Sequence, residues 1–316
     1  MYRINERTDN VEIYVVRAGD TLYGIAEKYA LDPAELARLN QLADPSRLPV
    51  GLALYIPGFD EGQRPGIEVN GYAYPNISAA VLNETLPYLT FFCPFSYSMT
   101  AEGALRPIDD RRLIFSAYAA SAAPLMTVTN LSESSGFSSD IAHAVFTDEA
   151  VQNKVFDNIL STLREKKYYG INFNIEYVYP FDREGYNAFI RRAADVFHPL
   201  GYYLSTAIAP KESDAQGGLL YEAHDYAAHG RYMDRVVIMT YEWGYTYGAP
   251  QAVSPVDRMR SVLAYAVTKM PAGKILMGFS NYGYNWRLPW KQGDAAAIVS
   301  SAGAADLAAS VGAEIR

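Results

Sequence analysis

Cysteine is almost missing: Cys93 is the one cysteine among 316 residues, so no disulfide can form within the chain. It lies in the apolar run 88–95 and reads as a buried strand residue rather than a nucleophile. Histidine is scarce as well, with four residues. No histidine–cysteine cluster has metal-ligand spacing, so no metal site is expected. His224 and His229 stand five apart, which does not put them on one helical face. Basic residues are in deficit, 27 against 35 acidic ones, for a net charge of −8. No cationic surface stands out that could track phosphates, which argues against a nucleic-acid partner. No apolar run is long enough to span a bilayer, so no membrane partner is expected. The opening residues, Met1-Tyr2-Arg3-Ile4-Asn5-Glu6, contain no apolar stretch of the kind a secretory signal needs, and none is expected.

Tyrosine is abundant, 26 of 316 residues. Its flat apolar face and polar tip suit sugar rings, although packing is the ordinary role for most of them. Residues 12–57 form a closed pattern. Glu12-Ile13-Tyr14-Val15-Val16 reads as a strand. Gly19-Asp20-Thr21 supplies a turn and a helix cap, and Leu22, Ile25, Ala26 and Tyr29 follow at helical spacing. Asp32-Pro33 opens a second helix that ends near Asn40, and Leu52-Ala53-Leu54-Tyr55-Ile56-Pro57 reads as a second strand. Residues 58–66 read as a polar linker. From there strands alternate with amphipathic helices. Strands are expected at 67–74, 88–97, 124–130, 170–178, 202–209, 234–242 and 274–283. Their nearly continuous apolar runs indicate a parallel sheet buried on both faces. Repeated β-α units of this kind predict an α/β fold, a (β/α)8 TIM-type barrel over 67–316. A doubly wound open sheet is the competing fold, but no Gly-rich phosphate loop supports it.

In such a barrel the chemistry gathers at the C-terminal ends of the strands. The fourth strand reads Tyr169-Gly170-Ile171-Asn172-Phe173-Asn174-Ile175-Glu176-Tyr177. Alternation puts Asn172, Asn174 and Glu176 on one face and Ile171, Phe173 and Ile175 on the other. Three polar groups pointing into a barrel are costly unless they serve a ligand or one another. A carboxylic acid at the mouth suits general-acid work. The alternative is a polar network that merely fills the barrel. Ser205-Thr206 has no Gly-x-Ser-x-Gly turn nearby, so serine hydrolase chemistry is unsupported.

Two resemblances rest on these residues. Val15-Val16-Arg17-Ala18-Gly19-Asp20-Thr21-Leu22, Asn40 and Leu54-Tyr55-Ile56-Pro57 resemble a LysM module. The resemblance implies binding of N-acetylglucosamine polymers such as peptidoglycan or chitin through loops 19–23 and 44–49, with Gly19, Asp20, Thr21 and Leu22 as contacts. The fourth strand resembles the catalytic strand of family 18 glycoside hydrolases, D-x-x-D-x-D-x-E. Glu176 falls on the acid, and Asn174, Asn172 and Tyr169 fall on the three aspartates. Val237-Ile238-Met239-Thr240-Tyr241-Glu242 resembles the family's M-x-Y-D element, which makes Tyr241 the holder of the substrate acetamido group. Further stretches, with the LysM module, are similar to the cortical-fragment lytic enzymes of spore-forming bacteria. These include Tyr177-Val178-Tyr179-Pro180-Phe181-Asp182-Arg183-Glu184 and Ser205-Thr206-Ala207-Ile208-Ala209-Pro210-Lys211.

That resemblance implies an N-acetylglucosaminidase that cuts spore cortex peptidoglycan by a retaining, substrate-assisted mechanism, without metal or organic cofactor. It places the protein at the spore coat, cortex or cell wall. Asn172 is a candidate substrate contact, and so are Glu242, Trp243, Trp286 and Trp290, which sit at strand ends or just beyond and suit sugar stacking as well as packing. Two departures stand out. Asn174 carries no charge where the pattern has aspartate. After the seventh strand, Leu288-Pro289-Trp290-Lys291-Gln292-Gly293 and the alanine-rich 302–311 offer no readable eighth strand, so the barrel is expected to lack its last β/α unit. The alternatives are a glycan-binding protein whose catalytic function has decayed, and a chitinase.

Overall fold

The computed structural model describes residues 12–57, 66–133 and 136–315. The expected linker lies outside them except for Gly66, as do the opening residues on which the expectation of no secretory signal rests. The chain divides into two compact units. One gathers Met1–Gly66, Glu242–Val253 and Ser280–Arg316, and the other gathers Ile67–Tyr241 and Ser254–Phe279.

The first unit opens with β1 (Glu12–Val15), α1 (Leu22–Lys28), α2 (Pro33–Leu39) and β2 (Ala53–Ile56). β1 and β2 pair antiparallel, Glu12 opposite Ile56. Thr21 caps α1 by accepting from the Gly24 N–H at 3.0 Å. Asp32 caps α2 by accepting from the Ala34 N–H at 2.7 Å, with Pro33 in the first turn, where its missing N–H is harmless. Val16, Leu22, Ile25, Leu36, Leu54 and Ile56 close the core. Asn40 ties helix to strand. Its amide donates to the Leu36 and Tyr55 carbonyls and accepts from the Tyr55 N–H at 2.7 Å.

The second unit runs β3 (Asn70–Ala73), α3 (Ala79–Thr85), β4 (Phe91–Pro94), β5 (Tyr97–Met99), β6 (Leu105–Arg106), α4 (Arg111–Ala119), β7 (Ala123–Thr129), α5 (Ser139–Thr147), α6 (Glu149–Lys166), β8 (Gly170–Asn174), α7 (Arg183–Phe197), β9 (Tyr203–Ile208), α8 (Tyr226–Tyr232), β10 (Arg235–Ile238), α9 (Val256–Ala266) and β11 (Ile275–Met277). Its parallel sheet has the order β3-β4-β7-β8-β9-β10-β11. The seven expected barrel strands are all there; β7 has the expected length, shifted by one residue, and the other six are shorter. The span 88–97 is two strands, because Pro94 lacks a ladder donor and the chain re-enters as β5 beside β7. The span 170–178 ends at Asn174, the span 234–242 at Ile238 and the span 274–283 at Met277. Beyond two of these ends Tyr177 and Glu242 take positive φ of 53° and 68°, which no strand tolerates. The β5–β6 hairpin had no signal in the alternation. Among the described residues, neither β3 nor β11 pairs with a strand on its outer side.

The outward face of β8 is apolar, and Phe173 meets Phe189 of α7 edge-on at 5.2 Å. Inside the sheet, Phe91 and Tyr203 stack at 4.5 Å over Leu125. Gly170 leaves room for β9: a Cβ there would sit 2.1 Å from the Tyr203 carbonyl oxygen. Arg235 forks onto the Glu68 carboxylate at 2.5 and 2.7 Å, tying the start of β10 to the approach to β3.

The remaining elements belong to the first unit. β12 (Tyr282–Asn285) and β13 (Ala297–Ser300) pair antiparallel, and α10 (Ser301–Val311) follows, capped by Ser300 and ended by Gly312 at φ 65°. The alanine-rich 302–311 is therefore a helix docked on a hairpin. Ile315 closes this unit, its N–H donating to the Val50 carbonyl at 2.7 Å.

Candidate functional site

β8 aims its polar side chains inward, and each is used differently. Asn172 is fully buried and engaged at both ends. Its amide donates to Ser205 Oγ at 2.8 Å and accepts from the Tyr72 hydroxyl at 3.1 Å. Its role in the fold is to place Tyr72, whose hydroxyl is pushed well above the ordinary tyrosine range by burial first, with Cys93 and Tyr241 beside it. Asn174, one pleat further on, is 6 % exposed, and its side-chain oxygen has no hydrogen-bond partner. Leaving a buried acceptor unpaired is costly, so a partner from outside the chain is the natural complement.

Glu176 stands two residues past the end of β8, half-buried. Its backbone is held by Asn130, which accepts from the Glu176 N–H at 3.0 Å and donates to the Glu176 carbonyl at 2.8 Å. Tyr241 is half-buried beyond β10 and packs against the inward cluster Ala207, Val237 and Met239. Gly278 leaves room for its ring, since a Cβ there would come within 2.9 Å of Tyr241 Cε1. Thus Asn172, Asn174, Glu176 and Tyr241 share one unit and one end of one sheet. Cys93 is set back among them, donating its thiol to Asn70 Oδ1, and burial pushes its pKa up to about 12. Burial thus keeps the group as the thiol, the form that is the poorer nucleophile.

Glu242, Trp243 and Trp286 belong to the other unit. The Glu242 carboxylate accepts from the hydroxyls of Tyr282 and Tyr284, the latter at 2.9 Å. Trp286 donates its indole N–H to the Gly248 carbonyl at 2.9 Å and lies 5.8 Å from the Tyr284 ring. Trp243 is half-buried, and the Trp290 indole nitrogen is buried without a partner. Loop 19–23 opens on Gly19 at φ 87°. Asp20 accepts from the Arg17 N–H and the Tyr14 hydroxyl, both at 2.7 Å, and these bonds, Arg17 first, hold its carboxyl below the usual range. Tyr23 is 68 % exposed. Leu22 is turned into the core, so only its backbone faces outward. In loop 44–49, Asp44 accepts from the Ser46 N–H at 3.0 Å.

Sequence reasoning missed Asn130, and it gave no burial or contact for His224 and His229. His224 and His229 meet edge-on at 6.1 Å. The helical-face argument did not apply to them, because His224 precedes the Asp225 cap of α8 and only His229 lies on the helix. His224 accepts from the Ala209 N–H at Nδ1, at 2.9 Å, and donates from Nε2 to the Ile175 carbonyl at 3.0 Å. Burial pushes His224 down to about 4 and His229 down to about 3. Lys211 is buried beneath, its ammonium donating to the His224 carbonyl at 3.2 Å. Among the described residues no group of three His, Cys, Asp or Glu could hold a metal ion, and no described helix is long and apolar enough to cross a membrane.

A parallel β/α sheet with a carboxylic acid and polar side chains at the C-terminal end of its fourth barrel strand is an arrangement that a barrel glycoside hydrolase can use. The family profile for glycosyl hydrolases family 18 matches residues 125–309, and the LysM domain profile matches 14–57. The chain belongs to family 18 of the glycosyl hydrolases. It is 41 % identical to the cortical fragment-lytic enzyme of Bacillus subtilis, an alignment covering 90 % of this chain and 78 % of that protein. Its fold matches the crystal structure of the Bacillus megaterium spore cortex-lytic enzyme SleL with a TM-score of 0.87 at 31 % identity, covering 97 % of this chain and 83 % of the other. A chitinase from Chromobacterium violaceum is more distant, with a TM-score of 0.70 at 26 % identity over 77 % of each chain.

Proposed function

We propose that the protein cleaves N-acetylglucosamine linkages in peptidoglycan, that of the spore cortex in particular, by a retaining, substrate-assisted route, one of the exceptions to the two-carboxylate scheme. The observation that carries this is the unpartnered, buried side-chain oxygen of Asn174, two residues before Glu176. It offers an acceptor to the N–H of a 2-acetamido group lying beside the acid. In this reading Glu176 protonates the glycosidic oxygen while the acetamido oxygen attacks the anomeric carbon and forms an oxazolinium ion. Glu176, now ionised, takes a proton from the water that opens the ring. The Tyr241 hydroxyl bonds the acetamido oxygen and aims it. Residues 12–57 act as the LysM module that holds the enzyme on insoluble wall, at the spore coat, cortex or cell wall, and 67–316 act as the catalytic barrel. Relatives named for cortex lysis support peptidoglycan over chitin.

One observation favours a second reading, a glycan-binding protein that has lost catalysis. The Asn174 amide carries no charge to balance the oxazolinium ion, and losing one such electrostatic partner costs roughly 3 kcal/mol, about a hundredfold in rate. The two readings separate in one experiment. The protein is incubated with soluble cortex fragments and with chitin oligomers, and new reducing ends are identified by mass, for the parent chain and for Glu176→Gln. The proposal expects cleavage of cortex fragments by the parent, with none by the variant, while glycan affinity stays the same. An unchanged rate in Glu176→Gln overturns the assignment, and an inactive parent that still binds glycan supports the second reading.

A further inference from the structure

The sheet ladder of β8 ends at Asn174 on both sides, so ladder hydrogen bonds do not hold the peptide that joins Ile175 to Glu176. Side chains hold it instead, at both of its polar atoms. Its N–H donates to Asn130 Oδ1 at 3.0 Å, and its carbonyl, that of Ile175, accepts from His224 Nε2 at 3.0 Å. The next carbonyls are taken in turn, that of Glu176 by Asn130 Nδ2 and that of Tyr177 by Ser139 Oγ.

The imidazole of His224 is itself locked. Nδ1 accepts from the Ala209 N–H at 2.9 Å, so the single ring proton resides on Nε2, aimed at Ile175. The other tautomer, or a second proton, would set an N–H against the Ala209 N–H. The His229 ring meets it edge-on at 6.1 Å, the Tyr186 ring lies at 5.9 Å, and Lys211 reaches only its backbone carbonyl. This histidine therefore joins the end of β9 to the residue before the acid, and no step of the proposed mechanism uses its ring directly.

We propose that His224 is a positioning residue: through the Ile175 carbonyl it fixes the peptide plane from which the Glu176 side chain departs toward the glycosidic oxygen. The proposal rests on the reading of Glu176 as the acid. Turning that plane swings the carboxyl group, and a displacement of about 1 Å at a reacting group costs about a hundredfold in rate.

Three variants of the full chain test it: His224→Gln, His224→Asn and His224→Phe. Glutamine carries a nitrogen donor where the imidazole has Nε2 and preserves the bond to Ile175. Asparagine reaches only the Nδ1 position and keeps the Ala209 contact. Phenylalanine fills the space and makes neither bond. On soluble cortex fragments, kcat in His224→Gln should stay within about threefold of the parent, while His224→Asn and His224→Phe fall roughly a hundredfold at nearly constant KM. Amide hydrogen exchange at Glu176, read by NMR without any substrate, should be faster in the Asn and Phe variants than in Gln. Equal losses in all three variants, or losses that follow the melting temperature rather than the donor to Ile175, overturn the positioning role. Glu176→Gln is assayed alongside. If it still cleaves, the acid reading fails and this proposal falls with it; if it is inactive while the three histidine variants are alike, the positioning role alone fails.

Discussion

The Asn174 side chain is 6 % exposed, with its oxygen facing no partner in the chain. An amide there accepts one N–H bond, whereas a carboxylate would also stabilise positive charge developing on the bound sugar. Asn174→Asp should therefore raise turnover about tenfold or more, with less effect on KM, because the gain appears in the transition state. Steady-state rates on soluble cortex fragments check this. A slower Asn174→Asp enzyme would mean that the buried site does not tolerate the charge before substrate arrives and is adapted to asparagine. Side-chain direction at this scale was legible: period-two alternation turned Asn172 and Asn174 inward, as the structure has them. Their partners were not. Tyr72 reaches Asn172 from a hundred residues away, and Asn130 and His224 reach the backbone around Glu176 from other loops. No local period encodes a bond of that separation.

The elements were legible where propensity and tertiary packing agree. The four-element pattern of 12–57 follows its caps and its Leu and Ile spacing. Most barrel strands were read too long because apolar composition continues past their ends: Ile175 and Met239 are buried but lie outside the strands. Two predictions belong here. Residues 12–57 should bind insoluble peptidoglycan and chitin on their own. Deleting them should weaken attachment to wall while scarcely changing turnover on short fragments, where tethering no longer raises the local concentration. Pull-down and rate measurements test this, and an isolated module that ignores both polymers would contradict it. The second concerns how closely β8 and β9 approach. With a Cβ 2.1 Å from the Tyr203 carbonyl oxygen, Gly170→Ala must push the two backbones apart, at a cost of about 1–3 kcal/mol. Urea denaturation of the two proteins would show it, and an unchanged midpoint would mean the strands separate freely.

For the molecule as a whole, the buried histidine pair sets how folding answers to acid. An exposed histidine titrates near 6.5, but burial pushes His224 down to about 4 and His229 down to about 3. Above about pH 6.5 both are neutral, folded or unfolded, and neither makes stability depend on pH. As pH falls below that value the unfolded chain takes up two protons that the folded chain refuses. Folding then loses at most about 1.4 kcal/mol per pH unit for each histidine, and the loss levels off once pH passes the folded values. Asp225 contributes lower down. Burial alone would raise its pKa, but the Arg183 guanidinium at 2.8 Å brings it below the ordinary carboxylate value, so its share is lost only in stronger acid. The melting temperature should thus be flat near neutrality and fall steeply between about pH 6 and pH 4. His229→Phe removes one of the two titrations while keeping a ring edge for Tyr186, now 4.9 Å away. It gives up the bond to Thr206 Oγ1 at 3.0 Å, which lowers stability at every pH without adding a slope. Melting curves of parent and variant from about pH 8 to pH 4 should differ in steepness, the variant losing about half as much per pH unit. Parallel curves would show that the pair is protonated in the folded protein, or that groups elsewhere dominate acid unfolding.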